Sequence, residues 1–263
     1  MSPLWPEAYT AVLGPQSVGL YRRRDRQWLG SAAFDAAGGI TWPAALVALE
    51  PLLAQRKPGR AALQVVLSSH YTRVCLVPWS EQLNSPVELE GLARLCFEDI
   101  YGPLGEGWSL RLSPEAAGCP RLAAAMPEEL LVQLRALARA GGMRLTSVQP
   151  YLMAAFNHHR AALVANDFLF LVAEPGRGSL LLARDGRWAG VRSVALDEGD
   201  AALHDLIARE GELQGLQQGA PIALYLHAPG RAGQVAAGVA CLDADLPEGQ
   251  GGDPLRAMAR TVN

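Results

Sequence analysis

One order of elements occurs twice in this chain. Residues 8–79 read as three consecutive strands, one helix and then buried strands, and residues 167–242 repeat that order. In the first copy, residues 8–20 form two strands broken at Gly14–Pro15, and 27–34 continue the pattern to the turn at Gly38–Gly39. A helix begins at Thr41 with Pro43 in its first turn, where a missing N–H costs nothing. Lys57–Pro58–Gly59 ends it, and 61–68 and 71–79 are β-rich runs. In the second copy, 167–196 carry three strands, with Asp185–Gly186 as a tight-hairpin signal between the last two. A helix over 197–213 and a strand over 220–230 follow. One such string arises easily by chance; two at this separation favour a duplicated α/β lobe.

The stretch between the copies, 80–166, reads as an inserted α/β subdomain with a connecting helix. Ser85 is a helix cap, Pro86 the first residue and Glu88 stands in the capping-box position. Val87, Leu89, Leu92, Leu95, Cys96 and Ile100 recur at helical spacing through 101. Residues 107–114 and 121–127 read as paired strands. The helix over 128–142 has the stripe Leu130, Leu131, Leu134, Leu137 and Ala138 and stops at Gly141–Gly142. A strand over 144–150 and a helix over 151–164 complete the insertion. The expected organisation is a first lobe at 1–79, the insertion at 80–166 and a second lobe at 167–243. Residues 244–263 are read as a flexible, Gly/Pro-rich tail with a last turn at LRAMAR.

This organisation is that of duplicated ribonuclease-H-like lobes, the actin-like ATPase architecture. The segment VCLVPWSEQLNSPVELEGLARLCFEDIYG, 74–102, resembles the actin-like assembly proteins of type IV pili and type II secretion, the PilM-like and GspL-like cytoplasmic proteins. The run ELLVQLRALARAGGMRLTSVQPYLMAAF, 129–156, is similar to the same family. The resemblance implies a cytoplasmic adaptor beneath an inner-membrane assembly platform. Its implied partner is the cytoplasmic segment of a bitopic membrane protein.

Composition narrows the alternatives. The chain has 263 residues, half of them hydrophobic, enough to bury a core without disulfides or metals. A net charge of -3 with 19% charged residues gives no concentrated basic face for nucleic acid. Arg22–Arg23–Arg24 with Arg26 reads as a solvated tip between strands. None of the four cysteines forms a C-x-x-C pair, which points to reduced thiols, mostly in the core. The N-terminus lacks the layout of a signal peptide, and no run approaches the roughly 20 apolar residues that span a bilayer. A cytoplasmic location without membrane insertion is expected.

The resemblance sets a chemical test. An actin-like ATPase grips phosphates with two Gly-rich hairpins and uses an acid to hold Mg²⁺ or orient water. The first hairpin, Leu13 to Gly19, offers Gly14 and Ser17, but Leu13 stands where the family has an aspartate and Pro15 lacks a donor. The second keeps Glu174, Gly176, Gly178 and Ser179, again with a proline at 175. Both read better as ordinary turns. ATP with Mg²⁺ is therefore the alternative cofactor reading, built around Glu174, and no cofactor is the leading one.

Other chemistry is thin. His158 and His159 are adjacent on a helix and project about 100° apart, so they do not share a metal. His70 and His227 have no acidic or cysteine neighbour in sequence. Ser68–Ser69 lack a G-x-S-x-G frame. Glu98–Asp99 and Asp243/Asp245 are acidic pairs read as solvated. No catalytic residue and no metal ligand is assigned. Glu88, Glu90, Glu98 and Asp99 on the helix 86–101 are the acids that could receive a basic juxtamembrane peptide, and Trp5, Trp42, Trp79, Trp108 and Trp188 lie at element ends. The leading expectation is a non-catalytic adaptor. An actin-like ATPase is the alternative, and a sugar-kinase-like enzyme lacks a motif for its aspartate base.

Overall fold

The computed structural model describes residues 7–36, 39, 42–56, 59–83, 85–103, 107–197, 199–218, 222–230, 238–243 and 253–262. The first half of the chain carries β1 (Glu7–Leu13), β2 (Ser17–Arg22), β3 (Gln27–Ala33), α1 (Trp42–Ala54), β4 (Ala61–Leu67), β5 (Arg73–Val77), α2 (Pro86–Tyr101), β6 (Trp108–Leu112) and β7 (Arg121–Pro127). Then come α3 (Glu128–Ala140), β8 (Met143–Pro150), α4 (Tyr151–His159), β9 (Phe168–Glu174), β10 (Gly176–Arg184), β11 (Arg187–Leu196), α5 (Asp200–Gln218), β12 (Ala223–His227), β13 (Val239–Cys241) and α6 (Pro254–Arg260). The chain forms two compact units: Met1–Thr72 with Pro127–His158 and Glu248–Asn263, and Arg73–Met126 with His159–Pro247.

The first unit holds a five-stranded sheet in the order β3-β2-β1-β4-β8. β1 pairs antiparallel with β2 and parallel with β4, and β4 pairs parallel with β8. Tyr9 to Leu13 are all buried, as expected of a central strand covered on both faces. α1 packs on β2 and β3, while α6 packs on β1 and β2. The tip between β2 and β3 is the solvated arginine turn, where Arg22 pairs with Asp25 at 2.6 Å.

The second unit repeats the scheme in a sheet ordered β11-β10-β9-β12-β13. β9 pairs antiparallel with β10 and parallel with β12, as β1 does with β2 and β4. α5 stands between β11 and β12 in sequence, as α1 does between β3 and β4. Leu169, Leu171, Leu180, Leu203, Leu206, Ile207 and Leu226 form its core. Asp185 and Gly186 both have positive φ, 49° and 70°, the backbone that a two-residue type I′ hairpin requires. Asp185 also donates its N–H to Asp167 Oδ1 at 2.7 Å. The duplicated lobe read from the sequence is thus present twice.

The same unit carries a three-stranded sheet, β5-β7-β6, with α2 packed on β5. Three placements differ from the sequence reading. β5, assigned to the first lobe from its apolar run, pairs instead with β7 of the insertion. β8, assigned to the insertion, becomes an edge of the first lobe's sheet. Both strands are apolar enough to join either sheet, and only long-range pairing decides. The last turn expected at LRAMAR is α6, capped by the Asp253 side chain on Leu255 N–H, but it is packed rather than part of a loose tail, with Leu255, Ala257, Met258 and Ala259 buried. Thr41, the cap proposed for α1, and residues 244–252 lie outside the described residues.

Candidate functional site

The two turns expected to grip phosphate belong to different units, Gly14 and Ser17 to the first and Glu174, Gly176, Gly178 and Ser179 to the second. At the first turn, Gly14 donates its N–H to Ser17 O at 2.9 Å, and its carbonyl accepts from the Tyr71 hydroxyl at 2.8 Å. A Cβ on Gly14 would lie 2.8 Å from Leu255 Cδ2. The glycine is therefore needed for α6 to close on the turn. Ser17 is already inside β2, paired with Ala33.

The second turn is shorter than the sequence suggests. Glu174 pairs with Arg177 across Pro175 and Gly176, and Gly176 has φ 77°. Pro followed by a positive-φ glycine is the residue pattern of a type II turn. Gly178 and Ser179 lie within β10. A Cβ on Gly178 would come 2.9 Å from Leu206 Cδ2 of α5, so this glycine admits the helix. Ser179 is buried, its hydroxyl 3.0 Å from that of Ser193 on β11. Glu174 is only 4% exposed. Packing and sheet pairing account for Gly14, Gly178 and Ser179.

α2 is built as the sequence reads. Ser85 Oγ accepts from Glu88 N–H, and Glu88 Oε2 accepts from Ser85 N–H at 3.0 Å, a complete capping box. Its buried side is set by Ala93 and Phe97, and the Tyr101 hydroxyl donates to Val74 O of β5 at 2.9 Å. The expected stripe is corrected here: Val87, Leu95 and Ile100 are exposed, while Phe97 is the anchor. At 100° per residue, Val87, Gly91, Leu95 and Glu98 follow one outward strip, flanked by Glu88 and Asp99. Val87 is 80% and Leu95 58% exposed. Of the four acids expected to face a partner, Glu88 serves the cap and Glu90 pairs with Arg94 at 2.8 Å. Glu98 and Asp99 are exposed on the last turn.

The tryptophans are less available than expected. The Arg73 guanidinium lies 4.4 Å over the Trp108 ring, and Trp188 Nε1 donates to Glu115 at 2.8 Å. Trp79 is exposed, and Trp5 lies outside the described residues.

The histidine reading needs correction. His227, expected to have no acidic partner, sits with Nδ1 2.7 Å from Asp243 Oδ1. His159, expected on an exposed face, is half-buried with Nε2 3.2 Å from the same His227 Nδ1. Asp243, expected to be solvated, is 5% exposed. Sequence separation hid this group: the signal is that β12 and β13 run parallel in register, which brings 243 beside 228. Asp245 and residues 231–237 lie outside the described residues.

No protein-family model matches the sequence, and no curated protein matches it. Solved structures do. The cytoplasmic domain of EpsL, an inner membrane component of the type II secretion system of Vibrio cholerae, aligns with a TM-score of 0.58 and 13% identity over 97% of this chain and 94% of that one. A chain of the PilM–PilN type IV pilus biogenesis complex aligns with a TM-score of 0.63 and 20% identity over 97% of both chains. A Bacteroides thetaiotaomicron protein described by its actin-like ATPase fold aligns at 0.54 with 10% identity, over 84% of this chain and 81% of that one. With its lobe duplicated strand for strand, the chain has the actin-like ATPase fold.

Proposed function

We propose that this protein is a non-catalytic cytoplasmic adaptor of a pilus or type II secretion-like assembly platform, and that the outward strip of α2 receives a basic, partly apolar segment of a membrane-anchored partner. The observation that carries this reading is the strip itself. Val87 and Leu95 are apolar and open, on a helix whose cap and opposite face are fully committed, with Glu98 and Asp99 beside them. Large exposed apolar side chains rimmed by charge mark interaction surfaces. The acids add attraction and register for a cationic segment. The fold supports the reading, because one matched structure is an assembly complex of two named proteins and another an inner-membrane component of a secretion system. Among the described residues, no helix is long and apolar enough to cross a membrane. An adaptor of this kind would meet the membrane through its partner.

The test is fluorescence anisotropy with a labelled synthetic peptide in which lysines and arginines alternate with leucines, the chemistry that the strip would receive. Binding is expected to fall at least about tenfold in Glu98→Lys/Asp99→Lys, and again in Leu95→Ser, consistent with anchor loss costing more than about 1 kcal/mol. Affinity that is unchanged in both variants would move the docking surface elsewhere.

A further inference from the structure

We propose that His159, His227 and Asp243 form a binding site for one divalent transition-metal ion, with zinc the best fit. All three residues belong to the second unit. His227 ends β12, and Asp243 follows β13, the parallel neighbour of β12 in which Leu226 is opposite Cys241. That register places the Asp243 carboxylate at the end of β12, where Oδ2 accepts the Ala228 N–H at 2.6 Å. The backbone thereby fixes one carboxylate oxygen and leaves Oδ1 turned to His227 Nδ1. An outer hydrogen bond of this kind orients a ligand oxygen for a metal.

The argument turns on the valence of His227 Nδ1. An imidazole nitrogen carries either one hydrogen or one lone pair. Here two polar atoms converge on it, Asp243 Oδ1 at 2.7 Å and His159 Nε2 at 3.2 Å. A single cation at the point of convergence accepts all three lone pairs, which all lie within 4.8 Å of one another. In a tetrahedral zinc site with bonds of about 2.0–2.1 Å, ligand atoms stand about 3.3 Å apart. The His–His separation of 3.2 Å matches that edge, and the Asp–His edge of 2.7 Å reaches it when the two atoms part by about 0.6 Å as the ion enters. Burial adds a second reason. His227 is 2% and Asp243 5% exposed, and a carboxylate so enclosed is stabilised by a positive partner. Two imidazoles with one carboxylate suit zinc, nickel, cobalt or ferrous iron and discriminate against calcium and magnesium. Three protein ligands leave one tetrahedral position for water or for a group brought by a partner.

The test uses the full chain after dialysis against a chelator. Calorimetric titration with Zn²⁺ is expected to show one ion per chain, and zinc to raise the thermal midpoint. Co²⁺ is expected to give the visible absorption of a four-coordinate ion in the unmutated protein, a readout that does not depend on any variant folding. His159→Gln and Asp243→Asn are expected to weaken zinc binding more than about tenfold, because each removes a ligand. His158→Ala, the exposed neighbour, is expected to bind as the parent does. No stoichiometric uptake and no cobalt spectrum would overturn the site, leaving a proton shared among the three side chains. Equal weakening by His158→Ala and His159→Gln would also overturn it, in favour of adventitious binding to surface histidines.

Discussion

At the scale of single residues, burial decides what the chemistry can be. Cys75 is fully buried against Ala93, Phe97 and Leu110, and burial pushes its thiol from the ordinary 9.0 up to about 12. At pH 8 only about one molecule in 10⁴ then carries the reactive thiolate at this position. Cys75 is expected to remain unmodified by a disulfide reagent such as Ellman's while the protein is folded and to react at once in guanidinium; rapid modification of the native protein would contradict its placement. The sign of the linked stability follows. Between pH 9 and 12 the unfolded chain loses this proton and the folded chain keeps it, so stability declines as pH rises through that window. The thiol's burial was legible from the apolar run RVCLV. The partnership of His227 was not, because its acid lies 16 residues later in sequence and becomes a neighbour only through the register of a parallel strand pair.

At the scale of elements, local signals located helices and hairpins, and long-range pairing decided their neighbours. Ser85, Pro86 and Glu88 state the start of α2 outright, since each supplies or removes a hydrogen bond at a fixed place in the first turn. Asp185–Gly186 states a hairpin because both residues tolerate positive φ. What α2 does not state is which side faces the sheet. Its apolar residues are distributed around most of the circumference, from Leu89 and Phe97 to Val87 and Leu95, so periodicity alone leaves the face open. The strand beneath, β5, selects Phe97. The capping box is the part of this helix that mutation can isolate. Ser85→Ala is expected to cost about 1 kcal/mol, read as a lower urea midpoint with an unchanged slope, because it removes one cap acceptor while leaving the sheet contacts intact. A loss of much more than this would mean that the helix start is also holding tertiary structure.

At the scale of the whole molecule, the duplication is what the sequence conveyed best, because the order β-β-β-α-β is written in local patterns and recurs intact. The two turns read from the sequence as phosphate loops are where nucleotide chemistry can be tested against the fold. A nucleotide site of the actin type asks both turns for free backbone donors. In the first, Gly14 spends its N–H on Ser17 and Pro15 has none; in the second, Pro175 occupies the turn, and Gly178 and Ser179 are absorbed by α5 and β11. Gly14 and Gly178 are explained by a helix lying against each, and Gly176 by the positive φ of its turn. Millimolar ATP with Mg²⁺ is therefore expected to leave the thermal midpoint where it is. A nucleotide present at 100 times its dissociation constant would add about 2.7 kcal/mol of stability, a shift of a few degrees that a thermal scan resolves readily. Such a shift, lost in Glu174→Ala, would mean that the second turn still binds phosphate around its buried acid, and the proposed adaptor role would have to be read as a nucleotide-dependent one.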